Sequence, residues 1–292
     1  MLPVEGEKQM TTKTRREFIR LAGTGAAAAA LGPFLHSSFR GQESRAAQKP
    51  VRLKLGMASY SFREFGLNPT LDMTKRLALE HICFKSFHLP LESTVEEIES
   101  TAARVKEAGL DLYGCGVVYM TSEAEVNRAF QYARTAGMRV IVGVPNHELL
   151  DLVDKKVKEF DIQVAIHNHG PGDKLYPTPE SAYEKIKNLD KRIGLCIDVG
   201  HTERSGVNPS ESVLRFFDRL LDVHLKDVSA SSAEGTTVEA GRGVIDIPAI
   251  LRALLEIEFQ GIASFEFEKD GKDPLPGVAE SVGYVRGVLS QL

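Results

Sequence analysis

After Pro50 the chain alternates short runs of β-forming residues with longer amphipathic stretches, and it does so eight times. The β-type runs fall near 53–61, 81–88, 110–118, 139–145, 163–169, 193–199, 220–226 and 262–268. Successive starts lie roughly 24–30 residues apart, and the last follows a gap of roughly 42. Parallel strands need a crossover of about a dozen residues or more, so this spacing predicts βαβ units. Eight such units predict an α/β fold closed as a single-domain (β/α)8 TIM barrel rather than an open doubly wound sheet.

The stretches between carry helix punctuation. Ser93-Thr94-Val95-Glu96 opens one with acidic residues in its first turn, and Gly109 ends it. Ser122 to Glu125 repeats that start, with Gly137 at the close, and Thr178-Pro179-Glu180 places proline at the first helical position. The segment at about 229–246, after the seventh strand, contains Gly235, Gly241 and Gly243. A long loop at that end of a barrel is expected to cover a ligand.

Alternate residues of a strand point to opposite faces, which sorts the polar residues. In Val164-Ala165-Ile166-His167-Asn168-His169, the apolar face must pack on helices, so His167 and His169 point into the barrel mouth. By the same parity Asp198 faces in at the end of Ile193-Gly194-Leu195-Cys196-Ile197-Asp198. Asp222, His224 and Lys226 face in on the seventh strand, and Glu266 and Glu268 face in on the eighth. Strands five to eight thus deliver His167, Asp198, His224 and Glu266 to one end, where barrel active sites sit. Ionisable groups gathered in a partly desolvated mouth need a counter-ion. Imidazole with carboxylate suits zinc, manganese, iron or cobalt. The alternative is a set of internal salt bridges in which Lys226 and Arg242 balance the acids. His88, at the end of the second strand, reaches either the same mouth or a hydrogen-bonded position in its loop.

The net charge of −4 gives no electrostatic footprint for nucleic acid. Three cysteines, Cys83, Cys115 and Cys196, are too few and too widely spaced for a disulfide framework and read as buried small hydrophobes. Residues 1–47 read as a signal and linker, with the barrel over 48–292. Arg15-Arg16 precedes an apolar, alanine-rich stretch from Leu21 to Leu35, and Ser44-Arg45-Ala46 offers a small-x-small cleavage site. The arginine pair points to Tat export and a periplasmic or extracytoplasmic location, with no stable membrane span once the signal is cleaved. An uncleaved N-terminal anchor is the alternative.

Asp198-Val199-Gly200-His201, His224-Leu225-Lys226-Asp227, Gly241-Arg242-Gly243 and Phe265-Glu266-Phe267-Glu268 follow one another in this order. In that order they resemble the xylose isomerase-like TIM barrel superfamily over about residues 53–290, and within it the sugar phosphate isomerase/epimerase family. The resemblance implies a divalent metal (manganese, cobalt, magnesium or zinc) held by one ligand from each of strands five to eight. It matches Asp198, His224 and Glu266 to three of those ligands, with Glu266 also moving a proton. It matches His201 and Arg242 to substrate contacts. The strand-five ligand in epimerases is a glutamate and catalytic base; here that position is His167, so the four ligands sum to −2 rather than −3 and cancel a dication. His167, His169 or Glu268 then has to stand in for the second base.

The resemblance implies a metal-dependent sugar isomerase or epimerase that abstracts a proton next to a carbonyl through an enediolate. Glu266, His167 and His169 are the expected catalytic groups, and His201, Arg242, His88, Lys226 and Glu268 the expected substrate contacts. A lyase or dehydratase acting on a keto-sugar or 3-keto-glycoside shares the intermediate and is the first alternative. A non-catalytic sugar-binding barrel is another, and phosphodiester hydrolysis at abasic DNA is disfavoured by acidity and export. The expected partner is a small-molecule carbohydrate, with no nucleic acid; homo-oligomers are compatible with such a barrel.

Overall fold

Eight parallel strands close on themselves in the computed structural model, which describes residues 52–292. The barrel strands are β1 (Lys54–Ala58), β2 (His81–Phe84), β3 (Asp111–Met120), β4 (Val140–Pro145), β5 (Gln163–His167), β6 (Ile193–Asp198), β7 (Leu220–Leu225) and β10 (Ile262–Phe265). The short strands β8 (Asp227–Val228) and β9 (Thr237–Val238) form a separate antiparallel pair. Around the wall the order is β1-β10-β7-β6-β5-β4-β3-β2. This is the (β/α)8 barrel that the repeat spacing predicts. The export signal expected over 1–47 lies outside the described residues. Among the described residues no helix is long and apolar enough to cross a membrane.

Local chemistry explains where the helices begin. Helices α1 (Leu67–Arg76), α2 (Val95–Glu107), α3 (Glu123–Thr135), α4 (Leu150–Phe160) and α5 (Pro179–Ile186) precede the short α6 (Val199–Arg204) and α7 (Pro209–Arg215). Helices α8 (Ile247–Glu256) and α9 (Leu275–Leu289) complete the ring. Thr94 accepts from the Glu97 N–H while Glu97 accepts from the Thr94 N–H, a reciprocal cap at the start of α2. Ser122, Thr178, Asn208 and Asp246 cap α3, α5, α7 and α8 through their side-chain oxygens. Gly109 and Gly137 end α2 and α3 in left-handed backbone, which lacks a Cβ penalty only for glycine.

Two layers of apolar side chains follow. Outward residues such as Ile166, Leu195, Ile197, Val223 and Phe265 are buried against the helices, each contributing about 1.5–3 kcal/mol relative to exposure. Inward residues Cys83, Tyr113, Val142, Ala165, Cys196 and Ile262 pack inside the barrel and plug it below its mouth. All three cysteines are free and buried, as expected of small hydrophobes.

Several strands are shorter than the β-type runs suggest. The first ends at Ala58 and turns into a 3-10 segment, Ser59–Phe62. There the serine hydroxyls replace ladder partners: Ser59 Oγ accepts from Lys85 N–H at 2.8 Å, and Ser61 Oγ from Phe267 N–H at 2.9 Å. That second bond ends the eighth barrel strand at Phe265 rather than Glu268. The long segment after β7 is not structureless. It folds back as the β8–β9 hairpin, then wraps residues 241–245 around Asp227. The carboxylate of this fully buried residue accepts from the N–H groups of Gly241 (2.9 Å), Gly243 (3.0 Å) and Ile245 (3.1 Å). Gly243 is required here, because a Cβ would lie 2.2 Å from Asp227 Oδ1.

Candidate metal centre

The parallel register aligns the polar ends of β5, β6, β7 and β10. Asp198 pairs with His224, His224 with Ser264, and His167 with Cys196. Glu266 lies one residue past β10, its N–H still donating to Leu225 O at 3.0 Å, so its side chain keeps the inward parity. His167, Asp198, His224 and Glu266 are exposed by only 2%, 0%, 1% and 7%. Each offers a ligand atom within 4.8 Å of all the others.

The individual separations test whether one cation fits. His167 Nε2 is 3.1 Å from His224 Nδ1 and 3.5 Å from Asp198 Oδ2. His224 Nδ1 is 3.9 Å from Asp198 Oδ2 and 3.2 Å from Glu266 Oε2. Zinc bonds of about 2.0–2.1 Å put tetrahedral donors about 3.3–3.4 Å apart. The four separations bracket that value. Asp198 Oδ2 is fully buried and faces the other donors; no contact to it among the described residues has hydrogen-bond geometry, and the positive charge it meets is that of Lys226, 2.9 Å away. The residues therefore fit a divalent cation, which His167, Asp198, His224 and Glu266 would hold.

Among the described residues, Lys226 is the cation that these carboxylates meet. Its Nζ lies 2.9 Å from Asp198 Oδ2 and 2.8 Å from Glu266 Oε2, and it also pairs with Glu268. Burial opposes charge on Lys226, but the three carboxylates outweigh it and hold the ammonium well above its ordinary pKa. Burial likewise opposes ionisation of Asp198 and Glu266. Lys226 outweighs it at both, helped by His201 and His167 at Asp198 and by His224 at Glu266, and holds each below the usual carboxylate range. His167 is different. Burial drives its imidazole down to about 3, so it is neutral, the form that ligates metals.

Two histidines flank the centre. His169 lies 4.4 Å from His167, ring centroid to centroid, and stacks on Tyr119 at 5.6 Å, with Nε2 3.1 Å from the Tyr119 hydroxyl. His201 donates its backbone N–H to Asp198 Oδ1 at 2.8 Å, which locks the Asp198 carboxylate. Burial keeps both imidazoles below their ordinary pKa. A cavity of about 450 Å³ opens beside the cluster, lined by His201, Arg204, Lys226, Glu268, Lys269 and the hairpin residue Thr237.

Two expected substrate contacts lie elsewhere. His88 is buried in its loop, with Nδ1 2.9 Å from Ser59 Oγ and Nε2 3.0 Å from both Thr70 Oγ1 and Phe65 O. Both ring nitrogens are thus engaged in joining three segments. Arg242 is exposed, forms an ion pair with Glu280 and does not line the cavity beside the cluster. Of the two balancing cations in the salt-bridge alternative, Lys226 takes that part and Arg242 does not. Tyr119 and Arg204 carried no readable signal. Tyr119 lies beyond a register shift between Cys115 and Val118 that breaks the parity of β3. Arg204 reaches the cavity from the last turn of α6, where strand parity says nothing.

The model of the xylose isomerase-like TIM barrel matches residues 87–288. The chain belongs to this family. Among individual proteins, the rhizopine catabolism protein MocC of Rhizobium meliloti is 27% identical over 152 residues, 47% of this chain and 46% of that protein. Inosose dehydratase of Lacticaseibacillus casei is 26% identical over 136 residues, 41% of this chain and 45% of the enzyme. The chain thus spans less than half the length of these relatives. The crystal structure of the IolI protein with a zinc atom has a TM-score of 0.69 at 19% identity, covering 82% of this chain and 99% of IolI. That likeness supports the fold.

Proposed function

We propose that this protein is a divalent-metal-dependent enzyme that removes a proton next to the carbonyl of a keto-sugar or keto-cyclitol and expels water from the neighbouring carbon. The observation that carries the proposal is the set His167, Asp198, His224 and Glu266, whose ligand atoms all lie within 4.8 Å of one another at the open end of the barrel. When bound, the metal would supply Lewis acidity toward a carbonyl oxygen. The Glu266 carboxylate, held ionised by Lys226, takes the carbon-bound proton. The C–H electron pair becomes the new double bond, and the C–O pair departs with the oxygen. Lys226, 2.8 Å from Glu266 and paired with Glu268, delivers a proton to the departing hydroxyl, which leaves as water. Glu266, 2.8 Å from Lys226 and now carrying the proton taken from carbon, passes it to the lysine, so that both groups regain their starting charge.

Two observations favour elimination over isomerisation. The resemblance implies a glutamate base in epimerases at the position of His167, so one of two carboxylate bases is missing here. The curated relatives also include several inosose dehydratases. Isomerisation or epimerisation is the second reading, because Glu266 can return its proton to an adjacent carbon from the same intermediate. Arg15-Arg16 supports a location outside the cytoplasm, where unphosphorylated sugars are the available substrates.

The test is proton NMR in deuterated water, with zinc-, manganese- or cobalt-loaded full-length protein and a panel of inososes, ketoses and 3-keto-glycosides. An enone signal supports dehydration, and deuterium exchange at one carbon without water loss supports the isomerase reading. Neither signal from a protein that has taken up metal would leave a sugar-binding barrel without turnover.

A further inference from the structure

Below the metal centre the barrel holds a carboxylate that the proposed chemistry does not use. Asp222 precedes His224 by two residues on β7 and so shares its inward face, one layer deeper. Its side chain is 0% exposed. Oδ1 accepts a weak hydrogen bond from the Cys196 thiol at 3.5 Å, and Oδ2 has no partner among the described residues. Nε2 of His224 is also buried without a partner, 3.9 Å from Asp222 Oδ1. The other ring nitrogen, Nδ1, is the one that faces His167, Asp198 and Glu266.

We propose that Asp222 is the positioning carboxylate of the metal centre, accepting the Nε2 proton of His224 so that the Nδ1 lone pair points at the cation. The inference rests on the metal reading of the site. A neutral imidazole carries one proton, so a ring that ligates through Nδ1 must hold it on Nε2. That N–H then needs an acceptor in a fully buried interior, and Asp222 has acceptor capacity to spare. The gap of 3.9 Å exceeds a hydrogen bond, and a movement of about 1 Å closes it. In the structure Nδ1 is engaged toward Glu266 at 3.2 Å, which draws the ring away from Asp222. The register neighbour Ser264 is a poorer acceptor, because its hydroxyl is 2.7 Å from that of Tyr113.

The experiment measures zinc affinity by competition with a chromophoric chelator, and cobalt absorption spectra, on the full-length protein. Asp222→Leu keeps a branched side chain and removes both acceptors. Zinc affinity should fall about 10- to 100-fold, and the cobalt bands should shift as the ligand ring loses its orientation. Without metal the variant should melt no earlier than wild type, because deleting a fully buried carboxylate relieves a desolvation cost that its contacts with the Cys196 thiol and Tyr113 hydroxyl offset only in part; a merely structural Asp222 predicts the opposite. Asp222→Asn retains one acceptor oxygen and should recover part of the lost affinity. In a His224→Ala background, Asp222→Leu should change nothing further. The inference is overturned if Asp222→Leu binds zinc as tightly as wild type with an unaltered cobalt spectrum. It is also overturned if the loss persists undiminished without His224, or if Ser264→Ala produces it instead. A wild-type protein with no affinity for either ion overturns the metal reading and this inference together; equal binding by wild type and Asp222→Leu overturns this inference alone.

Discussion

Replacing Asp227 by asparagine keeps the shape of the side chain and changes two of its contacts into clashes. One carboxylate oxygen accepts from the N–H groups of Val228 (2.9 Å) and Ile245 (3.1 Å), the other from those of Gly241 (2.9 Å) and Gly243 (3.0 Å). Whichever way the asparagine amide turns, its NH2 faces two backbone donors, so two of the four bonds are lost. Hydrogen bonds to a charged acceptor contribute about 1.5–3 kcal/mol each, which puts the loss at roughly 3–6 kcal/mol if the segment stays in place. It need not stay. Residues 241–245 can detach locally before the barrel unfolds, which caps the global effect near the lower end, roughly 3 kcal/mol. Two measurements follow: the urea midpoint, and hydrogen exchange at the amides of Gly241, Gly243 and Ile245. Asp227→Asn should lower the midpoint and deprotect those three amides ahead of the core. Gly243→Ala, whose Cβ would lie 2.2 Å from Asp227 Oδ1, should deprotect the same amides. An unchanged midpoint with the three amides still protected in Asp227→Asn would refute the idea that this carboxylate anchors the segment.

Lys226→Met should destabilise the metal-free protein by roughly 3–5 kcal/mol, since Asp198 and Glu266 are left buried without a cation. Added zinc should restore most of the lost melting temperature in a thermal-shift assay, and no restoration would count against a shared site. Glu266→Gln should abolish turnover in the NMR assay while leaving the far-UV circular dichroism unchanged; retained turnover would remove Glu266 as the base. His167→Glu should still bind zinc, and deuterium exchange without net elimination should rise in it; loss of zinc from that variant would show the charge arithmetic to be wrong. At the opposite end of the barrel, Arg139 and His81 hold the half-buried Asp111 below the usual carboxylate range. A depressed carboxylate stabilises the fold above its unfolded pKa of about 3.9, and that stability is lost as pH falls through the lower folded value. Arg139→Met should therefore be less stable than wild type at neutral pH by at most about 1 kcal/mol, with the gap closing in acid, as pH-dependent urea melts would show.

The wall of the barrel and the donors on it were legible because they depend on one short-range rule. Side chains alternate along a strand, so His167, Asp198, His224 and Lys226 could be assigned to a face from their immediate neighbours. Glu266 and Glu268 followed the same rule although the ladder stops at Phe265, because the backbone stays extended enough to keep the parity. What escaped depends on contacts between distant segments. His88 is claimed by Ser59, Phe65 and Thr70, and no local pattern distinguishes a histidine bonded by residues from other segments from one that meets a substrate. Arg242 sits in a glycine-rich turn that resembles a substrate loop, yet the glycines serve the Asp227 carboxylate and turn the arginine toward Glu280. Tyr119 follows an irregularity in β3, and a single register shift is enough to reverse which face a residue occupies.

By the resemblance, epimerases carry a glutamate where this chain has His167, and under the proposed chemistry that difference bears on Lys226. If the proposed dication binds, two imidazoles and two carboxylates would cancel it, and Lys226 would be left with Glu268 as its uncompensated partner. With glutamate at position 167, three carboxylates around the same cation would carry an uncancelled negative charge. Lys226, already 2.9 Å from Asp198 and 2.8 Å from Glu266, would then be needed as its counter-ion. A lysine locked in that part cannot give up a proton without leaving a buried charge exposed to its neighbours. In the proposed elimination, imidazole at 167 would lift that obligation and leave Lys226 free to act as an acid beside Glu266. A base with an acid beside it suits elimination of water, whereas moving a proton between two faces needs a base on each.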